Sequence, residues 1–312
     1  MLLCFYSPFP KGSAAFRREG FKSSGANTCL PVGRRTTSFK KGGIDFARYG
    51  RADGTPAPNF GIVILMFIDE LRKNFKGEIH DDAATLVKFS HDASIFEVKP
   101  VAVIAPQDSA DVQQAVRAVS AAKQAGEMVS LSVRAAGTCM AGGSLSDSVV
   151  LDVMPHLNQI GEIIVAEDKK SGSAVAQPGT FYRDFDTETR RRDLMMPAYP
   201  ASRDLAAIGG MVGNNAGGEK SPVYGKIENY LLELKAVLAD GNEYTIKPLS
   251  KTELEAKIKL PTFEGELYKK IYKLITDNRQ LITDAKPNVT KNSAGYYLWN
   301  VIGPALVGVG GP

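Results

Sequence analysis

Cysteine and histidine are scarce in this sequence, three of each, and they are widely spaced. Cys4, Cys29 and Cys139 form no C-x-x-C pair, so the chain's own cysteines cannot ligate a zinc ribbon or an iron–sulfur cluster. His80, His91 and His156 show neither i,i+4 spacing nor an H-E-x-x-H motif, and no metal site is expected. Long apolar runs are missing too. The one extended run, 60–68, has nine residues between Asn59 and Asp69, where a bilayer-spanning helix needs roughly 20. It also comes too late and ends too acidic for a secretory signal. The sequence predicts neither secretion nor a membrane span, and a cytoplasmic protein, with a peripheral place at the inner face of a membrane as the variant. There is no internal repeat. What remains is ordinary: 312 residues, 23% charged and 44% apolar, enough for two domains or one large domain with an appendage.

Charge is unevenly placed. Residues 1–65 hold ten lysines and arginines against three acids, a net +7, leaving 28 basic and 31 acidic groups, or −3, for the rest. Such a head suits nucleic acid or an anionic membrane. Its Gly, Ser, Arg and Pro content and lack of periodicity suit an unstructured extension better. No interleaved aromatics or nucleic-acid motif support the first alternative, and no nucleic-acid partner is expected. Met66 looks like a natural start for the folded part, because Phe67, Ile68, Leu71 and Phe75 follow at helical spacing.

Beyond it, a strand at Val101–Ala105 precedes a helix capped by Asp108 or Ser109, with Val112, Val116 and Val119 as its stripe and Gly126 at its close. A second strand, Met128–Val133, makes a strand–helix–strand unit that argues for parallel pairing. Further strands are expected at Val149–Val153, Ile163–Val165 and Ala174–Gln177, then a polar helix near Phe181–Arg192. Asp240-Gly241 between Leu231–Leu238 and Glu243–Ile246 is a hairpin signal. A later helix carries Leu267, Ile271, Leu274 and Leu281 on one face.

Two glycine-rich segments could carry chemistry: Arg134-Ala-Ala-Gly-Thr-Cys-Met-Ala-Gly-Gly143, directly after an apolar strand, and Ile208-Gly-Gly-Met-Val-Gly-Asn-Asn-Ala-Gly-Gly218. Small residues let backbone approach a ligand closely, and successive amides can cradle phosphate oxygens. Two such loops suit a long ligand with a diphosphate in its middle; either alone reads equally well as a tight turn. Standard nucleotide motifs fail. Gly137 and Gly142 frame a G-x4-G, but Gly143-Ser144 replaces the phosphate-loop lysine, and no G-x-G-x-x-G opens a helix after a strand.

Taken with Pro100-x5-Pro106, Val150-Leu-Asp152, Gln177-Pro-Gly179, Pro200-Ala-Ser202, Asn214-Asn-Ala-Gly-Gly218, Tyr224-Gly225 and Asp240-Gly241, these segments resemble the FAD-binding domain of the vanillyl-alcohol-oxidase (PCMH-type) flavoproteins. Within that class the likeness is to the branch of D-lactate dehydrogenase, the glycolate oxidase flavoprotein subunit and D-2-hydroxyglutarate dehydrogenase.

The resemblance implies an α+β fold of two subdomains gripping FAD. Composition adds a basic, disordered N-terminal extension at 1–65 and periodicity a helical lead-in at 66–98, while the resemblance gives an FAD-binding domain at 99–250, with subdomains near 99–155 and 156–250. Residues 251–312 would be a helical segment leading toward a substrate-binding cap domain that this chain is expected to lack. The implied cofactor residues are Arg134, Ala135, Ala136, Gly137, Thr138, Cys139, Gly142 and Gly143 in the first loop. Pro200, Ser202, Ala207, Ile208, Gly209, Gly213, Asn214, Ala216, Gly217 and Tyr224 complete the set. Arg134 has a competing and better-favoured role as a structural partner of a carboxylate. Cys139 is expected to pack as a small residue. Relatives that tether flavin through this loop carry histidine at the position of Thr138; a hydroxyl cannot make that bond, so noncovalent FAD is expected.

The implied reaction is oxidation of a D-2-hydroxy acid such as D-lactate or glycolate, with electrons passed to a quinone or a protein acceptor. An enolpyruvyl-sugar reductase and a non-catalytic flavin-binding module are the alternatives. Asn292 and Tyr296 are the substrate-side candidates. Tyr297 and Trp299 could line the reactive face or pack at a core edge. His91 and His156 read as loop residues, His156 having no acid near it in sequence. Val at Gly213 is expected to expel the cofactor, and Val at Gly172 to be harmless.

Overall fold

The computed structural model describes the strand Leu3–Tyr6 and residues 67–167, 169–289, 292 and 295–302. In chain order the strands are β1 (Leu3–Tyr6), β2 (Glu78–His80), β3 (Ala102–Ala105), β4 (Leu131–Arg134), β5 (Val149–Asp152), β6 (Ile160–Val165), β7 (Gly172–Ala176), β8 (Leu231–Val237) and β9 (Glu243–Ile246). They form two sheets, in the orders β2-β3-β5-β4 and β6-β7-β1-β8-β9.

In the first sheet β3, β5 and β4 run parallel and β2 is antiparallel to β3. The apolar run at β3 is continuous because both its faces are covered. Ala102 and Ile104 join a core with Phe67, Ile68 and Leu71 of a helix over 67–72 (α1), while Val103 packs with Leu86 and Phe89 of α2 (Ala83–Phe89). The strand–helix–strand unit is parallel as expected, but β5 sits between its two strands. The order follows burial: Val149, Val150 and Leu151 are almost wholly enclosed, whereas Val133 of β4 faces solvent at the edge.

The crossover helix α3 (Ser109–Gln124) is capped by Asp108, whose side chain accepts from the Asp111 amide at 3.0 Å. Asp111 itself is buried, and its carboxylate accepts the amides of Lys76 (3.0 Å), Gly77 (2.9 Å) and Gln107 (2.9 Å). One side chain thus ties the segment before β2, the loop after β3 and the start of α3 together.

The second sheet is antiparallel throughout. Its core gathers Ala174, Tyr182, Phe185, Met196, Ile208 and Tyr230, from β7, α4 (Tyr182–Arg190), the segment that follows it, α5 (Ile208–Gly213) and the turn before β8. β8 and β9 form the expected hairpin, with Gly241 at φ +75°.

Strand β1 falls within 1–65, the stretch read as a disordered extension, of which only these four residues are described. Leu3–Tyr6 lies in the middle of this sheet, paired to β7 (Leu3 opposite Ala176) and to β8 (Leu3 opposite Leu234). The physical reason is a vacant strand position between β7 and β8, whose facing ladders need a partner, and an apolar run at the chain start able to supply it. The rest of that segment, with its basic residues from Lys11 onward, lies outside the described residues.

The sheets are tied where α3 meets the β8–β9 hairpin. Ser120 Oγ donates to Ala239 O (2.6 Å), Arg117 donates to Asn242 Oδ1 (2.9 Å), and Ser109 Oγ bonds the Glu243 carboxylate. After α6 (Ser221–Tyr224) and the hairpin come α7 (Lys251–Ile258), α8 (Phe263–Asp277) and α9 (Arg279–Asp284), the single expected helix being broken at Asn278. Leu267 and Ile271 line an apolar cavity of about 310 Å³, while Leu274 and Leu281 are mainly exposed.

Candidate functional site

The first glycine-rich segment leaves β4 at Arg134 and is a loop. Gly137 (φ +65°) and Gly142 (φ +73°) occupy the left-handed region that glycine tolerates best. A Cβ on Gly137 would stand 2.8 Å from the Arg134 guanidinium, so arginine and loop are packed flat together. Arg134 Nη1 donates to Phe89 O (3.2 Å), its guanidinium lies over the Phe89 ring (4.8 Å), and it sits in the field of Asp152 and Asp92. It holds the loop from behind and does not line the cavity in front.

Burial lowers the Arg134 pKa, with Asp152 and Asp92 opposing; burial also raises that of Asp152, against the Met154 amide and the Arg134 charge. At Asp92 burial is outweighed by hydrogen bonds from Ser94 and Ser144 and by Arg134, and the carboxyl lies below its ordinary value. Ser144 Oγ donates to Asp92 at 2.9 Å, pinning the far end of the loop.

Between these anchors the loop's carbonyls are used but its amides are not. Gly137 O accepts from Ala93 N and Gly142 O from Leu145 N, while the N–H groups of residues 136–143 have no acceptor among the described residues. A run of backbone donors without protein acceptors is the donor set an anion requires.

The second segment corrects the expectation of a loop, since Ile208–Gly213 is a short helix. Two of its amides are already occupied, Ile208 N bonding Thr180 O and Gly209 N bonding Pro178 O. A Cβ on Gly209 would fall 2.6 Å from Pro178 Cβ, so this glycine serves packing. A Cβ on Gly210 would meet Ala135 Cβ at 3.7 Å, and this is where the two segments touch.

In front of that contact lies a cavity of about 240 Å³ lined by Thr138, Pro200, Ser202, Gly210, Asn214, Ala216, Gly217 and neighbours, with no carboxylate. Six of the expected positions line it, Thr138 from the first segment and Pro200, Ser202, Asn214, Ala216 and Gly217 from the second and the turn before it; Gly210, which was not among them, joins the lining. Ala135, Ala136, Gly137, Cys139, Gly142, Gly143, Ala207, Ile208, Gly209, Gly213 and Tyr224 lie outside its lining. Ile208 is core, Gly213 faces open space, and Tyr224 offers its carbonyl to Tyr230 Oη (2.9 Å). Cys139 is a free thiol, and its Sγ would meet a Cβ on Gly143 at 3.5 Å.

A second cavity of about 480 Å³ adjoins the first through Asn214, Asn215 and Lys226, and its far wall carries Tyr296, Tyr297 and Leu298. Tyr296 is 90% exposed at its rim, and Asn292 reaches it only indirectly, its carbonyl accepting from Tyr297 Oη. Lys226 is the residue that sequence reasoning missed. The signal was the Tyr224-Gly225 step, where Gly225 at φ +73° turns the chain. His156 is a further correction: Glu78, distant in sequence, bridges it (3.1 Å) and His80 (3.0 Å).

Among the described residues no group of three or more His, Cys, Asp or Glu could hold a metal ion, and no helix is long and apolar enough to cross a membrane. Residues 100–247 match a family described as "FAD binding domain". The chain is 30% identical over 233 residues to D-2-hydroxyglutarate dehydrogenase of Pseudomonas putida, covering 74% of this chain and 23% of that protein. It is 29% identical over 164 residues to glycolate oxidase subunit GlcD of Bacillus subtilis, covering 52% and 33%. Among solved structures, 6-hydroxy-D-nicotine oxidase from Arthrobacter nicotinovorans is similar at 20% identity and TM-score 0.45, over 56% of this chain and 36% of that one. The chain spans about a quarter of the length of its D-2-hydroxyglutarate dehydrogenase relatives.

Proposed function

We propose that this chain, whose residues 100–247 match a family described as "FAD binding domain", forms the flavin-holding part of an FAD-dependent 2-hydroxyacid dehydrogenase of the vanillyl-alcohol-oxidase class. The carrying observation is the run of unpaired amides at 136–143 beside a cavity without carboxylates. Those donors fit a diphosphate, since hydrogen bonds to charged groups are worth about 1.5–3 kcal/mol each. Thr138 and Ser202 add hydroxyls with no protein partner among the described residues, and Gly210 lets the two segments close on one another.

When bound, FAD supplies the two-electron acceptor for oxidation of a hydroxy acid to the oxo acid. This chain's residues bind and orient. Arg134 and Asp92 anchor the amide loop, whose Thr138 lines the cavity, and Thr138 offers no nucleophile able to tether the flavin, so attachment is noncovalent. The substrate is a D-2-hydroxy acid of the lactate, glycolate or 2-hydroxyglutarate kind, with a quinone or an electron-transfer protein as acceptor, in the cytoplasm. The names of the similar dehydrogenases and oxidase support this substrate class.

Fluorescence titration of the full chain with FAD tests the holding role, and anaerobic bleaching of bound flavin by D-lactate, glycolate or D-2-hydroxyglutarate tests the activity. Acid should release the flavin intact. No FAD binding would remove the proposal. Binding without bleaching by any of the three acids would leave a flavin-holding module.

A further inference from the structure

Lys226 is the only cation among the described residues that lines either cavity, and it lines both. It is half-buried and has no ion pair; its one hydrogen bond is donated to Tyr297 Oη at 2.5 Å. That phenol is itself oriented, donating its proton to Asn292 O, stacking on Trp299 (5.1 Å) and lying under the ammonium at 4.6 Å. An ammonium has three N–H donors. Two therefore remain for a ligand, on a side chain that Tyr297 holds in place. The nearby acid Glu228 forms no ion pair with it; its carboxylate accepts from Asn215 Nδ2 at 2.9 Å.

We propose that Lys226, positioned by Tyr297, is the carboxylate-binding residue of the 480 Å³ cavity. This deepens the function proposed above and rests on it. A carboxylate is favoured over a phosphate of FAD because the first loop already supplies unpaired amides for phosphate. The second cavity is otherwise neutral or apolar apart from Glu228, and only Lys226 can balance an anion there.

Calorimetric titration of the FAD-loaded full chain with oxalate and D-lactate provides the test, alongside fluorescence titration with FAD. Lys226→Met keeps the stem against which Gly217 packs and removes the charge. It should weaken both carboxylates ten- to a hundredfold while FAD affinity changes less than threefold. Lys226→Arg should recover most of the loss, and Tyr297→Phe should show a smaller loss. Unchanged carboxylate affinity in Lys226→Met would overturn the assignment alone. A matching fall in FAD affinity would overturn it in favour of the diphosphate. A wild-type chain that binds FAD but neither acid would overturn the hydroxyacid reading, and this proposal with it.

Discussion

At the residue scale, the decisive groups are small residues and buried acids whose partners are backbone amides. Asp111 is the clearest. Three amides from two segments converge on its buried carboxylate, so Asp111→Asn removes the charge and turns one acceptor into a donor facing N–H groups. A loss of about 2–4 kcal/mol is expected, since charged hydrogen bonds contribute about 1.5–3 each, and urea denaturation would measure it. Asp92 behaves as a pH-sensitive anchor. Its carboxyl lies below the ordinary 3.8, so its contribution is complete above that value and is lost as pH falls through the lower folded value. FAD affinity of the wild type should fall more steeply below about pH 4 than that of Asp92→Asn, by fluorescence titration. Arg134 shows the limit of legibility here: its guanidinium bonds no carboxylate among the described residues, where one was expected, and instead donates to Phe89 O and packs against Gly137, contacts that depend on a fold that spacing does not reveal.

Elements were legible where pattern and capping agreed. The α3 helix, its Asp108 cap, the burial of Phe67, Ile68 and Leu71, and the Asp240-Gly241 hairpin all follow from periodicity and turn chemistry. Ile208–Gly213 did not, because three glycines in six residues signal a turn, whereas packing on Pro178 makes glycine the residue that fits within a helix. The same blindness reverses the expected contrast between Gly172 and Gly213. A Cβ on Gly172 would meet Leu194 Cδ1 at 2.4 Å and Ile164 O at 2.6 Å, while one on Gly213 meets nothing within 4 Å. Gly172→Val should therefore misfold or lose several degrees in Tm. Gly213→Ala should gain up to about 1 kcal/mol, the helix preference of alanine over glycine. Differential scanning fluorimetry separates the two outcomes, and equal Tm values would contradict the packing at Gly172.

For the whole molecule, two sheets with separate cores are joined by the α3–hairpin ties, and the cavities open beside the meeting of the two glycine-rich segments. The two-subdomain plan could be read from the sequence because its motif blocks come in order. The second sheet's middle strand could not, because pairing across more than 160 residues leaves no local trace. Deleting residues 1–6 should lower Tm by several degrees and promote self-association, since β7 and β8 would each present an open ladder; light scattering on heating would show it.

That central strand also sets an order of events during synthesis. Leu3–Tyr6 is made before both of its partners, and one of them, Leu231–Val237, comes more than 220 residues later. The first sheet, complete at Asp152, is free to close while translation continues. The second must wait with its earliest piece in hand. Ribosome-arrested chains ending near residue 200 should therefore resist protease over 67–153 and yield throughout the rest.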